Sequence, residues 1–132
     1  MRLLIAIIPL VILFSCKEDD DSDATIFGKW KVEGYVANAS SPSKTASTDA
    51  FVTFNNDKSV NLTLEINTCT GTFTLNSDTL LIKDIGCTEA CCDSEFSLEL
   101  TELLPRVEGY YFTNGKLNLS GLENLNIRLT EE

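Results

Sequence analysis

From residue 26 onward, apolar and polar residues alternate with period two over most of the chain, the signature of strands with one buried face. Lys29-Trp30-Lys31-Val32-Glu33 opens the pattern, and Phe51-Val52-Thr53-Phe54 leads through the turn-forming Asn55-Asn56-Asp57 into residues 60–66, its cleanest segment. There the alternation predicts Val60, Leu62, Leu64 and Ile66 on one core-facing side. Residues 71–75 and 79–85 form two further strands around Asn76-Ser77-Asp78, a hairpin-length connection of turn residues. Residues 38–50 are rich in Ser, Thr and Ala, contain Pro42, and show neither period nor core residues. They read as a long mobile loop.

The period changes once. In residues 93–104, Phe96, Leu100 and Leu103 fall at i, i+4 and i+7, an N-cap type residue stands in front, and Pro105 follows, which predicts one helix of about three turns. Strands return at residues 107–113 and 116–120, joined by Asn114-Gly115, a two-residue hairpin signal because both positions tolerate positive φ. Leu125-Asn126-Ile127-Arg128-Leu129 closes the chain. The expected fold is mainly β: seven or eight short strands and one α-helix in a small antiparallel β-barrel or roll, whose closure hides strand edges. No internal repeat emerges.

The apolar run at the start has another character. Arg2 followed by residues 3–14 makes a charged n-region and a twelve-residue apolar region, about 18 Å as a helix against a hydrocarbon core of about 30 Å. Too short to span, it reads as a leader of residues 1–15 that is cleaved. Ser15 directly before Cys16 resembles a bacterial lipobox, in which the cysteine is lipidated and becomes the first mature residue. Phe14 departs from a strict lipobox in a way similar to Bacteroidota lipoproteins; an ordinary secretory peptide is the plainer alternative. Lys17-Glu18-Asp19-Asp20-Asp21 resembles the surface-export signal of those lipoproteins, with residues 16–25 as lipidated tether and 26–132 as the domain. A solvated spacer is the competing reading. A calcium loop would need a Gly, which the run lacks. The expected address is the outer membrane, facing the medium.

Removing residues 1–15 leaves 117, and the segment after the acidic tether, 24–132, has 109, enough for one domain. Losing Arg2 takes the net charge from minus 10 to minus 11, and setting aside Lys17 and the five tether acids leaves minus 7 on the domain. Such a field repels phosphate backbones and anionic headgroups, which argues against nucleic-acid binding and assigns membrane attachment to the lipid. The chain has no histidine, and with it goes the commonest general base, metal ligand and pH switch.

Four cysteines remain after lipidation: Cys69, Cys87, Cys91 and Cys92. An even number in an extracytoplasmic protein reads as a disulfide framework. Of three pairings, one joins the adjacent Cys91 and Cys92 and strains the peptide between them. That leaves two, in which Cys69 reaches Cys91 or Cys92 and Cys87 takes the other. A four-thiolate zinc site competes less well, since zinc favours two separated Cys-x-x-Cys pairs. The expectation is therefore no metal and no cofactor.

At these residues the chain resembles the META domain family, the family of the lipoprotein HslJ. Asn67-Thr68-Cys69-Thr70-Gly71-Thr72-Phe73 is similar to its Cys-Asn-x-x-x-Gly-x-Tyr element, with Asn67 and Gly71 in place and Phe73 for the Tyr. Thr88-Glu89-Ala90-Cys91-Cys92 resembles its Thr-x-Met-Ala-Cys element, matching Thr88 and Cys92 just before a helix; Tyr110, in the hairpin of residues 107–119, and Trp30 match its closing and opening strands. The departures are Ile66 where the family has Cys, Cys69 two residues beyond Asn67, and no counterpart for Cys87 or Cys91. Cystine connectivity therefore does not carry over. The resemblance implies a small antiparallel barrel with a helix, no established catalytic activity, and a role in the cell envelope or in stress or antibiotic tolerance.

Two functions compete. The first is a non-enzymatic, lipid-anchored envelope domain that contributes to integrity or binds a partner: no His, no activated Ser motif and no free thiol supply a nucleophile and base. Glu89, Asp93 and Glu95 cluster at the helix start, where acids complement the macrodipole and cap the helix more readily than they perform acid–base chemistry. The second is a lipocalin-like carrier of a small apolar ligand, since Gly28-Lys29-Trp30-Lys31-Val32 resembles a lipocalin opening and Trp30, Tyr35, Phe51 and Phe54 would line a mouth. An unfilled apolar cavity of roughly 300 Å³ or more would favour the carrier and a packed interior would count against it.

Overall fold

A computed structural model describes residues 25–132. The leader, Cys16 and the export residues Lys17, Glu18, Asp19, Asp20 and Asp21 lie outside the described residues. The chain runs β1 (Gly28–Val36), β2 (Lys44–Thr45), β3 (Phe51–Phe54), β4 (Ser59–Thr63), β5 (Thr68–Asn76), β6 (Thr79–Cys87), α1 (Glu95–Leu103), a 3-10 turn (Leu104–Arg106), β7 (Val107–Thr113), β8 (Lys116–Gly121), a second 3-10 turn (Leu122–Asn124) and β9 (Asn126–Glu131). Neighbouring strands are antiparallel in the order β1-β3-β4-β5-β6-β7-β8-β9, and β1 pairs with β9 to close eight strands into a barrel. The links from β3 to β6 and from β7 to β9 are short, whereas residues 37–50 join β1 to β3 and residues 88–106, with α1, join β6 to β7. The mainly-β, one-helix architecture expected from the alternation is the one observed.

The seams are unequal. β1 and β9 pair from Trp30↔Glu131 to Val36↔Asn126, whereas β6 and β7 share a single pair, Thr79↔Gly109. Between β6 and β7, α1 and its 3-10 extension carry Leu100, Leu103 and Leu104 into the core, and the 3-10 turn packs against β6. Ser94 caps α1 by accepting from the Ser97 amide at 3.2 Å. Pro105 sits early in the 3-10 turn, where its missing N–H costs nothing, so the helical segment continues through Arg106 instead of stopping before the proline.

The β5/β6 hairpin turns at Ser77-Asp78, with Ser77 at φ 57°, and keeps one register from Asn76↔Thr79 to Thr72↔Lys83. There a bulge intervenes. Gly71 faces both Asp84 (φ 56°) and Ile85, and beyond it the register is shifted by one, giving Thr70↔Gly86 and Cys69↔Cys87. At Asn114-Gly115 both φ values are positive, 50° and 73°, as a two-residue hairpin turn demands.

Two expectations need correction. Ile66 is 54 % exposed: β4 ends at Thr63, and the Leu64 amide donates to the Asn67 carbonyl at 2.9 Å, so the chain turns before Ile66 can join the core face with Leu64. The loop 38–50 is anchored at two places, by β2, which pairs with Gly34 and Tyr35 on the edge of β1 that β3 vacates after Lys31, and by Ala50, which is fully buried.

The aromatic residues fill the core. Trp30 donates its indole N–H to the Ile26 carbonyl at 2.7 Å, Phe54 and Phe73 meet edge to face at 5.2 Å between centroids, and Tyr35 stacks on Phe96 at 4.8 Å. The apolar crevice between Val60, Leu62, Cys69, Gly71, Ile85 and Leu104 has no room for a water molecule. The lipocalin reading thus loses its support: Trp30, Tyr35 and Phe54 are packing residues, and Phe51 is half-buried beneath the Lys29 ammonium, 4.1 Å from its ring centre.

Candidate functional site

The residues of the two sequence elements converge on one side chain. Asn67 is buried in the bend after β4, and its amide uses both donors and both acceptor positions. Its Oδ1 accepts from the Thr88 hydroxyl at 2.7 Å and the Ala90 amide at 2.9 Å; its Nδ2 donates to the Ala90 carbonyl at 2.6 Å and to Asp93 Oδ2 at 2.5 Å. Asp93 completes the arrangement by accepting from the backbone amides of Ile66 (2.8 Å) and Asn67 (3.2 Å). Thr88 adds a backbone bond to the Thr68 carbonyl at 3.1 Å. The segment 88–93, which has no regular structure of its own, is thereby pinned to the start of β5. Asp93 does not cap α1 as its position suggested; Ser94 does, and the Asp93 carboxylate belongs to Asn67.

Gly71 and Phe73 serve the same region. A Cβ on Gly71 would stand 2.7 Å from the Lys83 carbonyl oxygen and 3.0 Å from Ile85 Cγ1, so the bulged strand can lie close only against glycine. Phe73 is core. Tyr110 is half-buried and donates its hydroxyl to the Ser77 carbonyl at 2.9 Å, holding β7 to the β5/β6 turn.

The cysteines pair as Cys69–Cys87 and Cys91–Cys92. This overturns both pairings expected from the sequence. The register shift at Gly71 places Cys87 opposite Cys69 across β5 and β6, which leaves the adjacent Cys91 and Cys92 to each other. With the thiols in two separate bridges, the four-thiolate zinc reading falls as well.

Three carboxylates that local sequence does not single out hold polar clusters. Glu33, at the β1 bulge, accepts from Lys116 (2.7 and 2.9 Å), Arg128 (3.0 Å) and Thr130 (2.5 Å), and the Lys116 and Thr130 hydrogen bonds keep its carboxyl below the usual range. Glu99 accepts from the Lys44 ammonium and, at 2.8 Å, from the Tyr35 hydroxyl; these lower its pKa, while burial and the Glu99 charge raise that of Tyr35. At Glu65, partial burial opposes ionisation but the hydroxyls of Ser94, Ser97 and Thr48 outweigh it and bring the pKa to about 2. Their partners lie far away in sequence, so no spacing rule could find them.

Glu89, Asp93 and Glu95 do not assemble an acid–base pair: Glu89 is exposed, Asp93 is committed to Asn67, and Glu95 lies 4.0 Å from Lys44. Among the described residues no three Cys, Asp or Glu side chains converge as a metal-ligand set. The surface carries open recesses, one of about 360 Å³ along the β6/β7 seam beside Asp78, Glu108, Tyr111 and Ser120, and one of about 570 Å³ between β2 and α1 beside Lys44, Ser47 and Glu95.

The same shape occurs in solved structures. A protein from Burkholderia xenovorans, determined by NMR, superposes with a TM-score of 0.64 at 13 % identity over 80 % of this chain and 81 % of its own. A DUF4847 family protein from Bacteroides vulgatus ATCC 8482 superposes with a TM-score of 0.62 at 14 % identity, over 84 % and 96 %. At such identities the likeness speaks for the fold alone. Among curated proteins none matches this chain in sequence. The model of the META domain matches residues 24–132, the whole of the barrel whose Asn67, Gly71 and Thr88 have just been placed, and the chain belongs to the META domain family.

Proposed function

We propose that this is a non-catalytic META domain carried on a lipid anchor at the outer face of the cell envelope, where it contributes to envelope integrity or stress tolerance by engaging an envelope partner. The observation that carries the non-catalytic part is the occupation of the polar residues at the joint between the two family elements. Asn67, Thr88 and Asp93 spend their hydrogen-bonding capacity on one another and on the backbone, and an amide so used has nothing left for a substrate. Support for the anchor comes from the sequence: a short apolar leader, Ser15-Cys16, and an acidic tether that ends where the barrel begins. A domain of net charge minus 7 gains nothing from anionic headgroups, so a covalent lipid on Cys16 supplies the membrane attachment.

Cell fractionation of Cys16→Ala tests the anchor. Release of the variant from the membrane fraction is the expected result, and retention equal to that of the parent chain would overturn lipidation. For display, protease treatment of intact cells should digest the parent and spare a chain with Glu18, Asp19, Asp20 and Asp21 replaced by Ala. Equal digestion of both would reduce the acidic run to a spacer.

A further inference from the structure

The two disulfides sit in opposite surroundings. Cys69 is 1 % exposed, near the start of β5 between β4 and β6, and its bond to Cys87 spans a strand pair. Cys91 and Cys92 are both exposed, adjacent in sequence, and belong to no strand or helix. From this asymmetry the geometry points to Cys91–Cys92 as a site of reversible thiol–disulfide exchange with an external dithiol, Cys69–Cys87 being the permanent bridge.

Leaving-group chemistry separates them. A thiolate that attacks the sulfur of Cys87 must expel the Cys69 thiolate into apolar surroundings, where the charge is poorly solvated and departs slowly. Attack on either sulfur of the other pair expels a thiolate into water. The sequence is balanced: the dithiol's thiolate forms a mixed disulfide with Cys92 as the Cys91–Cys92 bond breaks, its second thiol displaces Cys92, and the pair gains two electrons and two protons while the reductant closes to a cyclic disulfide. The same steps in reverse reoxidise the site.

The loop survives the reaction. Ala90, directly before the pair, is held by Asn67 through both its N–H and its carbonyl, and Asp93, directly after it, by three hydrogen bonds. The bridge closes a ring one residue in sequence separation, so opening it releases almost no chain entropy. The thiols therefore stay side by side, poised to close again.

Graded dithiothreitol followed by alkylation and peptide mass mapping of the folded chain tests this. Cys91 and Cys92 should be alkylated together at a dithiothreitol concentration at least tenfold below that needed for Cys69 and Cys87, with the circular dichroism of the barrel unchanged. Opening of all four in one range, opening of Cys69–Cys87 first, or a native map joining either of the adjacent cysteines to Cys69 or Cys87 would overturn it. As a second arm, Cys91→Ser/Cys92→Ser should fold with an intact Cys69–Cys87 bridge and lose only the low-concentration alkylation step; a chain that loses that bridge too would equally refute the division of roles.

Discussion

Asn67 and Thr88, twenty-one residues apart, are joined by a 2.7 Å hydrogen bond from the Thr88 hydroxyl to Asn67 Oδ1. Two sequence elements that look like separate motifs are thus one structural joint. Asn67→Ala leaves the Ala90 amide and an Asp93 oxygen without partners in a semi-buried place, and a loss of roughly 2–4 kcal/mol in urea denaturation is expected. Asn67→Asp should cost more, because it sets a second carboxylate against Asp93, whereas Thr88→Val should cost only about 1 kcal/mol. A fully stable Asn67→Ala would show that residues 88–93 hold themselves.

Gly71→Ala is expected to destabilise by about 1–3 kcal/mol. The obstacle at 2.7 Å is the Lys83 carbonyl, part of the backbone, and it cannot rotate aside. Because the bulge opposite Gly71 sets the Cys69↔Cys87 register, the variant should also form that disulfide more slowly on oxidative refolding, as followed by quenched alkylation. Wild-type refolding kinetics would mean that the bulge tolerates a side chain.

Removing the bridge itself, by Cys69→Ala/Cys87→Ala, deletes a cross-link of sequence separation 18 and should lower stability by about 3 kcal/mol on the chain-entropy account. Thermal unfolding with and without the bridge measures it.

Acid should weaken the fold through Glu65. Its carboxyl has a pKa of about 2 in the folded chain against an ordinary 4.5, because burial, which opposes ionisation, is outweighed by the Ser94, Ser97 and Thr48 hydroxyls. A carboxyl that ionises more readily folded than unfolded stabilises the fold fully above pH 4.5 and loses that contribution as the pH falls from 4.5 through 2. Carboxyl carbon NMR should show the low titration, and Ser97→Ala, which removes a 2.6 Å hydrogen bond, should move it upward. Titration at the ordinary value in the parent chain would contradict the arrangement.

What the sequence made legible was periodic or local. Alternation placed Trp30, Val32, Val60 and Leu62 in the core, the helical period placed Phe96, Leu100 and Leu103, and Asn114-Gly115 gave its turn. Ile66 misled because alternation continues past the point where β4 stops; a hydrogen bond of Leu64 to Asn67, not a pattern, ends the strand. The cysteine pairing was hidden for a related reason. Reflected through the Ser77-Asp78 turn, Cys69 faces Gly86, and only the extra residue at Asp84-Ile85 brings Cys87 opposite. A left-handed Asp in a strand has no sequence signature. The Glu33, Glu65 and Glu99 clusters draw on partners up to 97 residues away and belong to topology.

The single backbone pair between β6 and β7 gives the barrel a directional weakness. Seven of its eight seams are zipped by several residue pairs, and the eighth is latched by Thr79↔Gly109 and by the Tyr110 amide on the Asp78 carbonyl, with the 3-10 turn packed against β6. Topologically the molecule is a ring; by its pairing it is a curved ribbon whose two ends, β6 and β7, meet at that latch. Opening at that latch would expose the backbone of β6 and β7 before any other strand, so solvent exchange should spread from Thr79 and Gly109 outward. The recess beside Asp78 and Glu108 lies over the same latch, and whatever settles there meets the most yielding line of the fold.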